Sequence, residues 1–190
     1  MNTAFFSEID FTQENFDQLN FKLGEYEQCQ FSSCSFTGIN WSKVSFEDCH
    51  FIDCNLSLQK FKDCFLKTVK FERCKLTGAD FSTCNPFLLS LSFESCQLNL
   101  SSFYKLKLKG SKFKSCQMHE VDFSLSDLNA AKFEDCDLFQ ATFFETNLTQ
   151  ADLSSSHNYS IDPENNQIQK ARFSLDGLPG LLEKYQLVIS

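Results

Sequence analysis

A large apolar residue recurs at every fifth position along most of this 190-residue chain. From Phe11 the series runs through Phe16, Phe21, Tyr26, Phe31, Phe36, Trp41, Phe46, Phe51, Leu56, Phe61, Leu66, Phe71 and Leu76 to Phe81 without a miss. A second series runs from Phe93 through Leu98, Phe103, Leu108, Phe113, Met118, Phe123, Leu128, Phe133, Leu138, Phe143 and Leu148 to Leu153. The second is out of phase with the first by two residues, and the slip falls within 82–92, near Pro86. Two residues before each of these centres stands a small or medium side chain, such as Cys29, Ile39, Val44, Ala79, Val121 or Ala131. The other positions are mostly polar, with Phe65, Phe139 and Phe144 as apolar exceptions.

A period of five matches neither the 3.6 of a helix nor the 2 of a strand. A centre and the residue two before it share one face of a short extended segment. Carried on straight, the next centre would face the other way, so the chain must bend once per repeat. Each repeat is then one side of a closed coil, and the cysteines give the number of sides. All ten keep the position two before a centre, Cys84 doing so against the next step of the first series. Each has another 20 residues away: Cys29 with Cys49, Cys34 with Cys54 and Cys74, Cys64 with Cys84, and Cys96 with Cys116 and Cys136. A spacing of 15 links only Cys34, Cys49 and Cys64. The centres agree, because Phe alternates with Leu or Met from Phe51 to Phe81 and from Phe93 to Leu148. Four sides stack Phe on Phe, whereas three would stack Phe on Leu. The 15 and 13 centres of the two series then make about seven coils. The sequence predicts an all-β, quadrilateral β-helix over 11–153, an N-terminal cap over 1–10 and a C-terminal cap over 154–190; Phe6 already fits the register, so the first coil can begin there.

The tail departs from the repeat. Ser154 to Asn158 and Asp162 to Asn166 read as turns, and Ser174 is placed to cap a short helix near Pro179. Leu178, Leu181, Leu182 and Tyr185 would share the apolar face of that helix, followed by extended Leu187, Val188 and Ile189. These are more apolar side chains than one coil needs for cover, so the tail is also expected to join a second copy through Leu178, Leu181, Leu182, Tyr185, Leu187 and Ile189.

The formal net charge of −8 argues against nucleic acid as a direct ligand, since phosphate binding needs an excess of Lys and Arg. Met1 to Asp10 lacks the basic and apolar pattern of a secretory leader, and no apolar run reaches the ~18 residues of a membrane span. Ten cysteines in that setting fit reduced thiols and a cytoplasmic location. The closest cysteines are five apart and fall on different sides, unlike zinc ligands. His50, His119 and His157 are scattered, no glycine-rich phosphate loop occurs, and no nucleophile is placed for a triad. No catalytic residue, metal or cofactor is expected.

Charge is distributed unevenly. Lys60, Lys62, Lys67, Lys70, Arg73 and Lys75 form one basic group, and Lys105, Lys107, Lys109, Lys112 and Lys114 another. Between Ser115 and Leu153, Glu120, Asp122, Asp127, Glu134, Asp135, Asp137, Glu145 and Asp152 face only Lys132, a balance of 1 − 8 = −7. This stretch reads as an acidic face for docking a basic partner, against the plainer reading of a solvated surface.

The pattern, with its local matches Ala79-Asp80-Phe81-Ser82 and Ala151-Asp152-Leu153-Ser154, resembles the pentapeptide-repeat family. That resemblance implies a right-handed, square-sectioned β-helix. The tail resembles the C-terminal segments of the Qnr, MfpA and McbG class. The likeness implies a homodimer joined end to end and a DNA-mimicking body that binds DNA gyrase or topoisomerase IV in quinolone resistance or immunity to gyrase poisons. Long loops project from the coils of many Qnr proteins; here the register is broken only by the two-residue slip. The alternative is a protein-interaction scaffold or effector without a gyrase role, for which the Lys-rich sides could be the binding face.

Overall fold

The computed structural model describes residues 4–16 and 20–188. Its strands are β1 (Ala4–Ser7), β2 (Asp10–Thr12), β3 (Gly24–Glu27), β4 (Gln30–Ser32), β5 (Ser45–Glu47), β6 (His50–Ile52), β7 (Phe65–Lys67), β8 (Val69–Glu72), β9 (Leu91–Glu94), β10 (Lys112–Lys114) and β11 (Lys132–Glu134). Strands β1, β3, β5 and β7 stack as one sheet, and β2, β4, β6, β8, β9, β10 and β11 as another. Every pairing is parallel and in register, with Tyr26 over Phe6 and Phe31 over Phe11, a return after 31 − 11 = 20 residues. Single bridges build the remaining sides of the coil. Asn15, Ser35, Asn55, Lys75, Gln97, Gln117, Asp137 and His157 climb one of them, and Lys60, Asp80, Ser102, Asp122 and Thr142 the other. The result is the four-sided β-helix that the repeat predicts. Side I carries β1, side II carries β2, and sides III and IV follow in chain order.

Nearly all the centres point inward and most are fully buried. On side II the rings of Phe11, Phe31, Phe51, Phe71, Phe93, Phe113 and Phe133 lie nearly parallel, with centroids 4.7 to 5.2 Å apart. Each also meets a ring of another side edge-on, as Phe113 does Phe103 of side IV across the coil at 5.9 Å and 81°. Both arrangements suit the aromatic quadrupole. The small inward position has its own rule. Its side chain donates a hydrogen bond to the carbonyl of a centre in the coil below. Cys54 Sγ meets the Phe31 oxygen at 3.3 Å and Cys74 Sγ the Phe51 oxygen at 3.3 Å. Cys34, Cys54, Cys74, Cys96, Cys116 and Cys136 form one buried column on side III, as free thiols.

Most corners are made by the second residue after a centre, which takes the left-handed conformation at φ 50° to 68° even where it is not glycine. Such a residue is disfavoured alone. Here its N–H is held by the coil above, as Gln13 N to Ser32 O at 2.9 Å and Asp53 N to Glu72 O at 2.9 Å. Stacking thus replaces the glycines that the composition lacks.

The slip is confined to one corner of side I. Asn85 still stands 20 residues above Phe65, but Leu91 stands 22 above Val69. Pro86, without an N–H to give, starts the bulge, and Asn85 Oδ1 accepts Phe87 N at 2.9 Å. The two extra residues turn Phe87 and Leu88 outward, 60% and 63% exposed, before Ser90 N rejoins Leu66 O at 3.1 Å.

Both boundaries differ from the sequence reading. Strand β1 belongs to the first coil, inside the segment expected to cap it. At the other end the ladder continues past Leu153, through His157 and Gln167, to Arg172. The apolar signal fades there because the inward positions are filled by polar groups that obey the same carbonyl rule. Ser156 Oγ bonds Phe133 O at 2.9 Å, and Asn166 Nδ2 bonds Phe143 O at 3.0 Å. A four-residue helix, α1 (Pro179–Leu182), and a 3₁₀ turn, Glu183–Tyr185, close this end. Ser174 does not cap α1. Its Oγ accepts Gly177 N at 3.0 Å, and Leu178 occupies the N-cap with no side-chain bond. The segment docks through Ile161 N to Gly180 O at 2.9 Å. Gly180 lies so close to the Tyr159 carbonyl that any Cβ there would collide with it.

Stability is expected to reside in the ring stacks. Phe113→Ala should cost about 3–5 kcal/mol, and Phe144→Ser, at an outward position, about 0.5 kcal/mol or less. Urea unfolding of the two variants measures the difference.

Candidate partner-binding surfaces

The eight acidic residues do not share a face. Asp122 stands on side IV between Ser102 and Thr142, Asp127 on side I above Lys107, Asp137 on side III above Gln117, and Asp152 on side II above Lys132. Glu134 lies on side II above Lys114. Asp135, Glu120 and Glu145 occupy left-handed corners. The chain winds, so a charge run along the sequence becomes a collar around the rod near its C-terminal end.

Four of these carboxylates also have a local task. Asp122, Asp127, Asp137 and Asp152 each accept the backbone N–H two residues on, at 2.9, 3.1, 3.3 and 3.0 Å. Asn55, Asn85 and Asn147 do the same elsewhere in the helix. Asp137 is the most connected. His119 Nε2 lies 2.7 Å from it, Asn158 Nδ2 donates at 2.8 Å, and His157 Nε2 is 3.9 Å away. This histidine–carboxylate cluster escapes a linear reading because its members come from three successive coils. Among the described residues no group of three or more His, Cys, Asp or Glu side chains is arranged to hold a metal ion.

The basic groups are likewise dealt around the sides, and their fates differ. On side II Lys70 pairs with Glu72 and Glu94 at 3.2 and 3.4 Å, Lys114 with Glu94 at 2.9 Å, and Arg73 with Asp53 at 2.8 Å and with Glu72, while Lys112 forms no ion pair among the described residues. On side I Lys107 and Lys109 are exposed, and neither forms an ion pair among the described residues. Near the collar two rings point outward: Phe139, 48% exposed and edge-on to His119, and Phe144, 49% exposed.

At the C-terminal end Leu178, Leu182, Tyr185 and Leu187 remain exposed, whereas Leu181 packs against the core. Ile189 lies outside the described residues. Lys184 ties the segment to the last coil through Asp162 and Glu164, both at 2.6 Å, and the Tyr185 hydroxyl donates to Glu164 at 2.8 Å. Pro179, Leu182, Glu183 and Leu187 line a shallow depression on its outer surface. No helix among the described residues is long and apolar enough to cross a membrane.

This geometry defines a class: a straight repeat solenoid whose sides carry patterned charge and exposed rings. A family model for the pentapeptide repeat region matches residues 24–86 and 88–173, breaking at the bulge residue Phe87. The chain belongs to the pentapeptide-repeat family. Among solved structures it is similar to a trypsin-treated variant of QnrB1, a plasmid-mediated fluoroquinolone resistance protein, at 16% identity over 98% of this chain and 100% of that one, with a TM-score of 0.58. A second trypsin-treated QnrB1 variant matches at 17% identity over 97% and 99% of the two chains, with a TM-score of 0.57. HetL, a pentapeptide-repeat protein involved in heterocyst differentiation regulation in the cyanobacterium Nostoc sp., matches at 13% identity over 90% and 86%, with a TM-score of 0.51. No curated protein matches the sequence. At these identities the likeness is one of fold.

Two solution properties follow. Burial pushes the thiols of Cys49, Cys64 and Cys84 up to about 12. All ten thiols are buried in the native protein and shielded from reagent, so Ellman's reagent at pH 8 should find fewer than one reactive thiol there and all ten in denaturant. Burial would raise the Asp137 carboxyl, but the bonds from Asn158 and His119 outweigh it and hold it below its ordinary 3.8. Asp152 is held low by Ser154, and Asp53 by Arg73. A depressed carboxylate stabilises the fold above its unfolded value, and that contribution is lost as pH falls through the folded one. Stability should therefore drop as pH falls below about 4, and Asp137→Asn should flatten that drop in acid-unfolding curves.

Proposed function

We propose that this protein is a non-catalytic ligand of a type II topoisomerase, DNA gyrase or topoisomerase IV, and that it presents its acidic collar in place of DNA. The observation that carries this reading is charge per unit length. Residues 115–153 make about two coils, roughly 10 Å of rod at ~4.8 Å per coil. They carry a net −7, or −6 when Arg172, bound to Asp152 at 3.2 Å, is counted in. B-DNA carries one charge per about 1.7 Å, or about six over that length. The collar therefore has the linear charge of a duplex. It also meets a partner from any side, as a duplex does. QnrB1, a fluoroquinolone resistance protein of the same fold, supports this choice of partner. In this reading the exposed Leu178, Leu182, Tyr185 and Leu187, with Leu181 beneath them and Ile189 following in the sequence, join two copies end to end and place two collars on either side of the joint.

A second reading, a scaffold for other proteins, is favoured by the exposed lysines and apolar bulge on side I. The two make different demands on the collar. Asparagine already occupies the turn position held by Asp122, Asp127 and Asp152, so Asp→Asn removes charge and keeps the turn bond. Combining Asp122→Asn, Asp127→Asn, Glu134→Gln and Asp152→Asn should leave the melting temperature within a few degrees. The native protein should inhibit gyrase supercoiling, or protect it from a quinolone, at near-stoichiometric amounts, and the variant should need at least about tenfold more. An equal effect of both proteins, or none from either, sinks the topoisomerase reading.

A further inference from the structure

Side I carries a groove, a projection and two opposite charge clusters in a fixed order along the rod. The groove, about 360 Å³, lies over the coils of β3 and β5, with Phe5 at one end and Phe65 at the other; Glu25, Glu27 and Ser45 line it with Lys43 and with Glu47, which is paired with Lys67 at 2.8 Å. The small Ser45 side chain and the inward turn of Tyr26 leave it open. Next up the rod comes the bulge, with Phe87 and Leu88 standing out from the plane of the side. One coil beyond the bulge are Lys107 and Lys109.

We propose that side I is a self-complementary interface through which two copies of this chain pack side by side and antiparallel. An isologous contact requires each feature to find its complement on the same surface; the projection, the groove and the outer charges do so, and Lys67, which the axis sets opposite its own copy, is neutralised by Glu47 at 2.8 Å. A two-fold axis crossing side I at the coil of β7 places the Phe87–Leu88 projection of each copy over the groove of the other. The same rotation carries Lys107 and Lys109, one coil above the projection, onto Glu25 and Glu27, at the end of the groove nearer the N-terminus. Position along the strand is unchanged by this rotation, so Lys109 and Glu27, each one residue after a centre, meet in one column. Lys107 and Glu25, each one residue before a centre, meet in the other. Asp127, one coil further up, falls on the coil of β1, where Phe5 and not a carboxylate holds the matching place.

The energetic case rests on the bulge. A solenoid corner that turns a Phe and a Leu into water gains nothing for its own fold, whereas an exposed aromatic entering a walled groove is the usual anchor of an interface. The carboxylates on the groove and the lysines beyond the projection, neither of which the net charge of −8 would lead one to expect in balance, set the direction of the pairing. This interface is separate from the C-terminal joint and independent of the topoisomerase reading.

Sedimentation equilibrium of the full chain tests it. The Leu182→Ser chain, in which the C-terminal joint is disrupted, should approach twice 21.9 kDa with rising concentration through side I alone, and the native chain, with both joints, should exceed it. Added to the Leu182→Ser chain, Phe87→Ser, an exposed substitution that leaves the ring stacks intact, should weaken association by roughly thirtyfold, the loss expected of a hot-spot aromatic. Lys109→Glu should weaken it, and Lys109→Glu combined with Glu27→Lys should restore it. A Leu182→Ser chain that stays monomeric, or one whose association is indifferent to Phe87→Ser and Lys109→Glu, overturns the proposal.

Discussion

Everything in this molecule depends on the parallel ladder that seats each residue above the one 20 positions earlier. Hydrogen bonds between coils are the only backbone partners most residues have, and they run along the rod. The ladder converts sequence period into spatial columns, so identical side chains meet face to face. Phenylalanine rings stack, thiols stack, and the carbonyls of one coil are met by the small side chains of the next. It also holds the left-handed corners, which would be costly in an isolated chain. Among the described residues the stack leaves no lateral edge for aggregation.

The same ladder explains how charge is presented. Five residues advance the chain by one side, so neighbours in sequence are seldom neighbours in space. The basic run from Lys60 to Lys75 is dealt to all four sides and largely neutralised on side II, while Lys107 and Lys109 stay unpaired on side I. The acidic run is dealt into a collar. A carboxylate on this scaffold has two roles at once: it bonds the backbone two residues on, and it supplies the field around the rod. Asparagine can supply only the first, which is why the two can be separated.

Much of the architecture was legible in the sequence, because centres and small positions are read directly from the period, and the cysteine spacing chose four sides over three. The slip near Pro86 was legible as well. The ends were not. At the first coil Phe6 keeps the period, but a single repeat before Phe11 does not separate a coil from its cap, and near the last the inward places go to Ser156 and Asn166, whose polarity hides their burial. The helix near Pro179 was visible from its proline and leucines, but not its short length or its lack of a side-chain cap. The acidic residues were found as a group, and their distribution was misjudged, because a linear count says nothing about which side a residue occupies. The His119–Asp137 contact required the coil geometry before it could be seen.

The two extra residues at Asn85 to Ser90 amount to a stacking fault healed within a single corner. Above and below it the columns run on unbroken, so the fold measures its register from coil to coil and not along the chain. The ends of this corner are held in place by the ladder whatever lies between them. Lengthening it further costs only loop-closure entropy, which rises slowly with loop length. This corner is therefore the site at which the rod can accept a grafted segment, displayed at a fixed height on one flat side, without any change to the stack that carries it.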